Sequence, residues 1–236
     1  MNRLNILFSL FSLTTCIIII ERLLPASYTF LQPYNFAQVH QIVQAVILIP
    51  LTVLLSFFIL KEITNNFQKL QTKRNVFLTM LFVLGVYFYG AGEGWHEYAI
   101  LLYNSYCQQD GATYPLCKGI FINAFYTGNI IFFTGGVLMN TALLALSAQF
   151  PVKQFSKAEL VILFLNSVVY ALTWFAYAAF DVVPVGLFFS GALMLISVGF
   201  LIKRKNSWKM YPYLVFSTFA YTLATVSSFI MRTGNA

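Results

Sequence analysis

Glu93, His96 and Glu97 stand close together in an otherwise apolar run, within Gly92-Glu93-Gly94-Trp95-His96-Glu97. At 100° per residue in a helix, the three fall within one arc of about 100° and share a face. If the helix ends near Asn104, a rise of 1.5 Å per residue puts His96 about 12 Å and Glu93 about 16 Å inside its end. Ionisable groups at such depth in a membrane span must face protein or water, and their default reading is functional. As catalytic groups, Glu93 and Glu97 would serve as acid and base, because burial moves carboxyl groups toward neutral titration. His96 would orient them or bind a metal.

Metal chemistry is the sharpest form of this reading. Glu93-x-x-His96 is the pairing that carboxylate-bridged di-iron bundles supply from each of two helices. It occurs once here, so the expected metal is a single divalent ion such as zinc. His40, His96 and Glu93 would hold it, with water in the fourth position. Bis-histidine haem through His40 and His96 is the alternative cofactor. The chain has only these two histidines.

Other spans carry polar residues at matching height. His40 and Gln44 open the second span. Asn123 and Tyr126 open the fourth, and Tyr170, Tyr177 and Asp181 recur along the fifth. These seven are the expected ligand-binding residues of a polar pocket in the outer half of the bundle, for a small molecule or a lipid. Ser217, Tyr221, Thr225 and Ser228 form a further stripe on the seventh span, a pattern that more often serves hydrogen bonding between helices.

The elements that position these groups follow from composition. Hydrophobic residues make up 59% of the 236 and charged residues 9%, against about 45–50% and 25% in soluble domains. So few charges cannot screen so much apolar surface from water, and the bilayer is the partner the composition demands. Seven apolar segments recur, at 5–24, 38–60, 76–104, 119–148, 159–180, 184–202 and 211–231. Each has about the 20 residues, or more, that a helix needs to cross about 30 Å of hydrocarbon. The alternating 10-residue pattern of a membrane barrel is missing. The expected fold is an all-α, polytopic bundle of seven transmembrane helices forming a single domain over 1–236. Glycines 85, 90, 92 and 94 in the third segment and 128, 135 and 136 in the fourth read as sites of close helix approach.

Charge gives the orientation. Arg3, Lys61, Lys69, Lys73, Arg74, Lys153, Lys157, Lys203, Arg204, Lys205 and Lys209 fall on one set of alternating ends, eleven of the fourteen basic residues. Arg22, Lys118 and Arg232 fall on the other. The basic side is expected to be cytoplasmic, with the N-terminus inside, the C-terminus outside, and the host a plasma or inner membrane. The net charge of +7 is thereby accounted for without nucleic acid as a partner. Asp110 falls in a loop assigned outside, and Cys107 and Cys117 flank the same loop. An oxidising compartment would let them form a disulfide.

Some function classes are excluded. The seventh segment has no lysine for a retinal Schiff base, and no late histidine pair follows His96. There is also no CxxC, no Gly-x-Ser-x-Gly and no His-Glu-x-x-His. Three roles remain open: an intramembrane enzyme acting on a lipid or amphipathic substrate, a transporter or channel for a proton, cation or small solute, and a scaffold or receptor with a structural polar cluster.

Overall fold

The computed structural model describes residues 2–33, 37–107 and 115–234. Seven helices in it are long and apolar enough to cross a membrane: α1 (Arg3–Leu23), α2 (Val39–Ile63), α3 (Lys73–Tyr106), α4 (Pro115–Gln149), α5 (Lys157–Phe180), α6 (Val185–Lys203) and α7 (Pro212–Gly234). Among the described residues there is no strand, only an isolated bridge between Phe30 and Gln38. This is the architecture of a multi-pass membrane protein.

Local sequence sets the helix starts. The Asn2 side chain accepts from the Leu4 amide at the head of α1, and Thr72 accepts from Asn75 at the head of α3. Ser156 and Glu159 form a reciprocal capping box on α5, which satisfies donors that a helix start leaves open. Two helices contain a wider π-helical turn, Val43–Leu48 in α2 and Ile122–Thr127 in α4. Such turns are uncommon and gather at functional sites.

The spine of the bundle is the antiparallel pair α3 and α4. A Cβ built on Gly92 would collide with the backbone of Phe132, and one on Gly135 with the backbone of Tyr89. Gly85 and Gly128 are closed off in the same way, by Gly135 and Met139 and by His96. Gly90 and Gly94 face open space, so only part of the sequence's glycine cluster serves packing.

Polar seams tie the outer helices on. Between α1 and α5, Asn5 Nδ2 donates to Glu159 O (3.0 Å), Ser12 Oγ to Asn166 O (3.2 Å) and Asn166 Nδ2 to Ser9 Oγ (3.0 Å). On α7, Thr225 shares a hydrogen bond with Ser190 of α6 at 2.7 Å, and Ser228 donates to Phe175 O at 3.4 Å. The seventh-span stripe is therefore used between helices.

The two ends of the bundle differ. At one end Arg3 approaches Glu62 (4.0 Å), and the α4–α5 and α6–α7 connections pair through Val152 with Met210 and Phe155 with Lys209. This is the basic end. At the opposite end Cys107 and Cys117 are bonded, with their Cα atoms 5.6 Å apart. Asp110 and the rest of that loop, 108–114, lie outside the described residues.

Candidate functional site

The site is built around Arg22, near the end of α1. Its guanidinium lies 3.7 Å from a Glu21 oxygen and 3.9 Å from a Glu97 oxygen. Gln44, in the π-helical turn of α2, joins it to Glu93. With the amide nitrogen turned toward the carboxylate, Gln44 Nε2 donates to Glu93 Oε1 at 3.0 Å. Its Oε1 then accepts from Arg22 Nε (3.3 Å) and Nη2 (2.8 Å). His40 Nε2 stands 3.8 Å from Glu97 Oε2, while its Nδ1 is 3.4 Å from the Ser27 carbonyl and its ring sits 5.2 Å from that of Tyr28. Gln41 fixes the register of α2 against α3 by donating to the Glu97 carbonyl at 2.9 Å.

Three carboxylates are thus gathered from two helices, and all are buried: Glu21 is 6% exposed, Glu93 3% and Glu97 7%. Both Glu21 oxygens and Glu97 Oε2 have no hydrogen-bond partner. Two of these oxygens, Glu21 Oε2 and Glu97 Oε2, still lie within ion-pair reach of Arg22 (3.7 Å) and His40 (3.8 Å).

A cavity of about 50 Å³ opens beside the cluster, between α1, α2, α3, α4 and α5. One water needs about 10–15 Å³ of such space, so the cavity can hold a short file of them. Gln44 and Tyr177 line it at the cluster end, and Ser56 and Asn140 line it at the other. Thr15 and Thr173 share a 2.8 Å hydrogen bond along its wall. Tyr89, Phe132, Tyr170 and Trp174 make the rest of the lining largely aromatic. Asn140 is fully engaged: its Oδ1 accepts from Tyr213 (2.9 Å) and Tyr221 (2.8 Å), and its Nδ2 donates to Gly136 O at 2.8 Å.

His96 does not belong to this site. Its Nδ1 lies 2.6 Å from the carbonyl of Ala124, inside the π-helical turn of α4, and it is within electrostatic reach of the Asp181 carboxyl. The arc that carries Glu93, His96 and Glu97 is real, but two neighbours share it. Glu93 and Glu97 turn to α1 and α2, and His96 turns to α4. The expected catalytic trio is therefore divided. The expected zinc set of His40, His96 and Glu93 is not assembled either, and among the described residues no three His, Cys, Asp or Glu side chains form a metal-holding group. Axial haem ligation by His40 and His96 meets the same obstacle, since each ring is committed to a different neighbour.

The expected ligand-binding residues also separate. His40, Gln44, Tyr170 and Tyr177 lie at the cluster or its cavity. Asn123 and Tyr126 do not: Asn123 is half-buried, accepting from Trp95 Nε1 (3.3 Å) and donating to Gly119 O (2.9 Å), and Tyr126 is 41% exposed. Asp181 belongs to a second, structural knot. Its Oδ2 accepts from Asn129 Nδ2 at 2.7 Å, and Arg232 donates to the carbonyls of Ala178 (2.6 Å) and Asp181 (2.7 Å). Arg232 thus closes the end of α5 with a cation where the helix dipole is negative. Burial raises the Asp181 carboxyl above the usual range, and His96 and Arg232 oppose that rise.

Glu21, Arg22 and Asn129 were not expected in any site. The Glu21-Arg22 pair sits where a helix end meets the interface, and nothing in the sequence says that the second helix folds over it. Comparison of the chain with protein-family models, curated proteins and solved structures returned no match.

Proposed function

We propose that this multi-pass membrane protein is a transporter or channel for protons or a small cation, with Glu21, Glu93 and Glu97 as the binding groups. The observation that carries this is the charge imbalance of the cluster. Three buried carboxylates face one guanidinium and one histidine. Fully ionised around a neutral His40, they would leave two uncompensated negative charges inside the bundle. Each buried ion costs several kcal/mol unless paired, so protons or a bound cation must complete the balance. Loss and recovery of that positive charge is the event a transport cycle needs. Gln44 relays the state of Glu93 to Arg22, and the cavity extends the site toward the middle of the bundle.

Orientation is part of the reading. The basic end faces the cytoplasm, in a plasma or inner membrane, and the bonded cysteines face the oxidising side. Two of the three exceptions to the charge split have other uses, since Arg22 balances the carboxylates and Arg232 closes α5. An intramembrane acid–base enzyme is less well supported, because His96 stands apart from both carboxylates.

The test is flux in proteoliposomes, with trapped pyranine reporting protons under a valinomycin-clamped potassium potential, and radioactive sodium uptake as the cation arm. Flux well above protein-free vesicles in either arm is expected, with at least a tenfold loss in Glu93→Gln. Flux equal to empty vesicles in both arms, or unaltered flux in folded Glu93→Gln, overturns the reading.

A further inference from the structure

A second concavity, of about 460 Å³, lies far from the carboxylate cluster, between α5, α6 and α7 at the basic end. Its wall is apolar, made by Phe164, Leu201, Val215 and Phe219 together with Thr218 and Thr222. The hydroxyl oxygens of the two threonines are buried and without a hydrogen-bond partner, turned out of reach of the groove, so that the threonines present carbon to it. Lys205 and Trp208 stand at its mouth, in the α6–α7 connection, which also carries Arg204 and Lys209 and follows Lys203 at the end of α6.

Length, polarity and charge agree on one occupant. Thr222 lies ten residues beyond Pro212 at the head of α7, about 15 Å down the helix at 1.5 Å per residue. That is half of the roughly 30 Å hydrocarbon core, the depth of one leaflet. The groove therefore runs from headgroup level to the midplane, with its charges all at one end. Trp208 is an aromatic of the kind that settles at the headgroup boundary. No described acidic group neutralises these cations. Arg204 lies over the Tyr211 ring at 5.5 Å and Lys209 over the Trp208 ring at 5.7 Å, and among the described residues no salt bridge engages any of the four. Basic pockets between helices on the cytoplasmic side are suited to anionic headgroups.

We propose that this groove is a specific lipid site, holding one acyl chain of an anionic phospholipid whose headgroup docks on Lys205. The site is independent of the carboxylate cluster and of transport through it. The chain fills an apolar slot that lipid tails would otherwise cover loosely, and the lysine supplies selectivity over zwitterionic lipids.

Native mass spectrometry of the full chain, released from detergent with phosphatidylglycerol or phosphatidylcholine titrated in, tests this. The expected result is one tightly retained phosphatidylglycerol per chain, held at least fivefold better than phosphatidylcholine. Lys205→Gln should remove most of that preference, since one lysine near an anionic headgroup is worth about fivefold. Thr222→Leu, which fills the deep end with an apolar side chain, should lower retention of both lipids while leaving Lys205 in place. Equal retention of the two lipids by the wild-type chain overturns the proposal. So does a preference that survives in both variants, or a dimer that takes the place of the bound lipid.

Discussion

His96 and Glu93 are three residues apart on α3, yet they answer to different neighbours, and the consequence is measurable. Replacing His96 by alanine leaves the Ala124 carbonyl without its 2.6 Å partner. A buried group left unsatisfied costs on the order of 1–3 kcal/mol. His96→Ala should therefore melt earlier in detergent while its flux, per folded molecule, stays within about twofold of wild type. Glu93→Gln should behave oppositely, keeping its melting temperature and losing flux. A His96→Ala protein of wild-type melting temperature and no flux would return His96 to the site. The sequence made the depth and the face of these residues legible, because periodicity and rise need no partner. It left open how one arc of about 100° is divided between two neighbouring helices, since that depends on which helices flank α3. Arg22 escaped for a related reason: its role exists only once α2 lays His40 and Gln44 against it.

At the scale of elements, the seven spans read from hydropathy match the helices to within four residues at every end, because desolvation of the backbone leaves a chain this apolar few alternatives. The two π-helical turns were not legible, as no residue type marks them, yet one carries Gln44 and the other carries the carbonyl that receives His96. Glycine gives the clearest contrast. Gly85 and Gly92 are seven residues apart, as are Gly128 and Gly135, so each pair lies on one helix face. The two faces meet, and this lets α3 and α4 approach backbone to backbone. Gly94 lies about 160° from Gly92 around the helix, at 100° per residue, and faces open space. Gly92→Ala should force the pair apart and lower stability by about 1–3 kcal/mol, the usual penalty of overpacking. Gly94→Ala should be neutral or slightly stabilising, since alanine is the better helix former. Thermal unfolding of the two variants in the same detergent decides between them. Equal tolerance would mean that α3 and α4 do not meet through this face.

For the whole molecule, the orientation is the property on which the direction of the proposed transport and the leaflet of the proposed lipid site both depend. Eleven of fourteen basic residues gather at one end, and that bias acts during insertion, where positive charge resists translocation. Two of the remaining three are bound into the structure, Arg22 among carboxylates and Arg232 on the carbonyls of Ala178 and Asp181. The disulfide at the end opposite to the basic loops is an independent observation pointing the same way. Cys16 is the one unbonded cysteine, so Cys16→Ser gives a background without a reactive thiol and leaves the bridge intact. Single cysteines at Gln71 and Asn206, both exposed at the basic end, should react with a membrane-impermeant maleimide only after the cells are opened. A cysteine at Thr233, exposed at the far end of α7, should react in intact cells. The comparison spans three loops or ends, so a miscount of one span between them would show itself as discordant labelling. Labelling of Gln71→Cys and Asn206→Cys in intact cells, with Thr233→Cys protected, would invert the bundle. The carboxylate cluster would then open toward the cytoplasm and the Lys205 groove would lie in the outer leaflet.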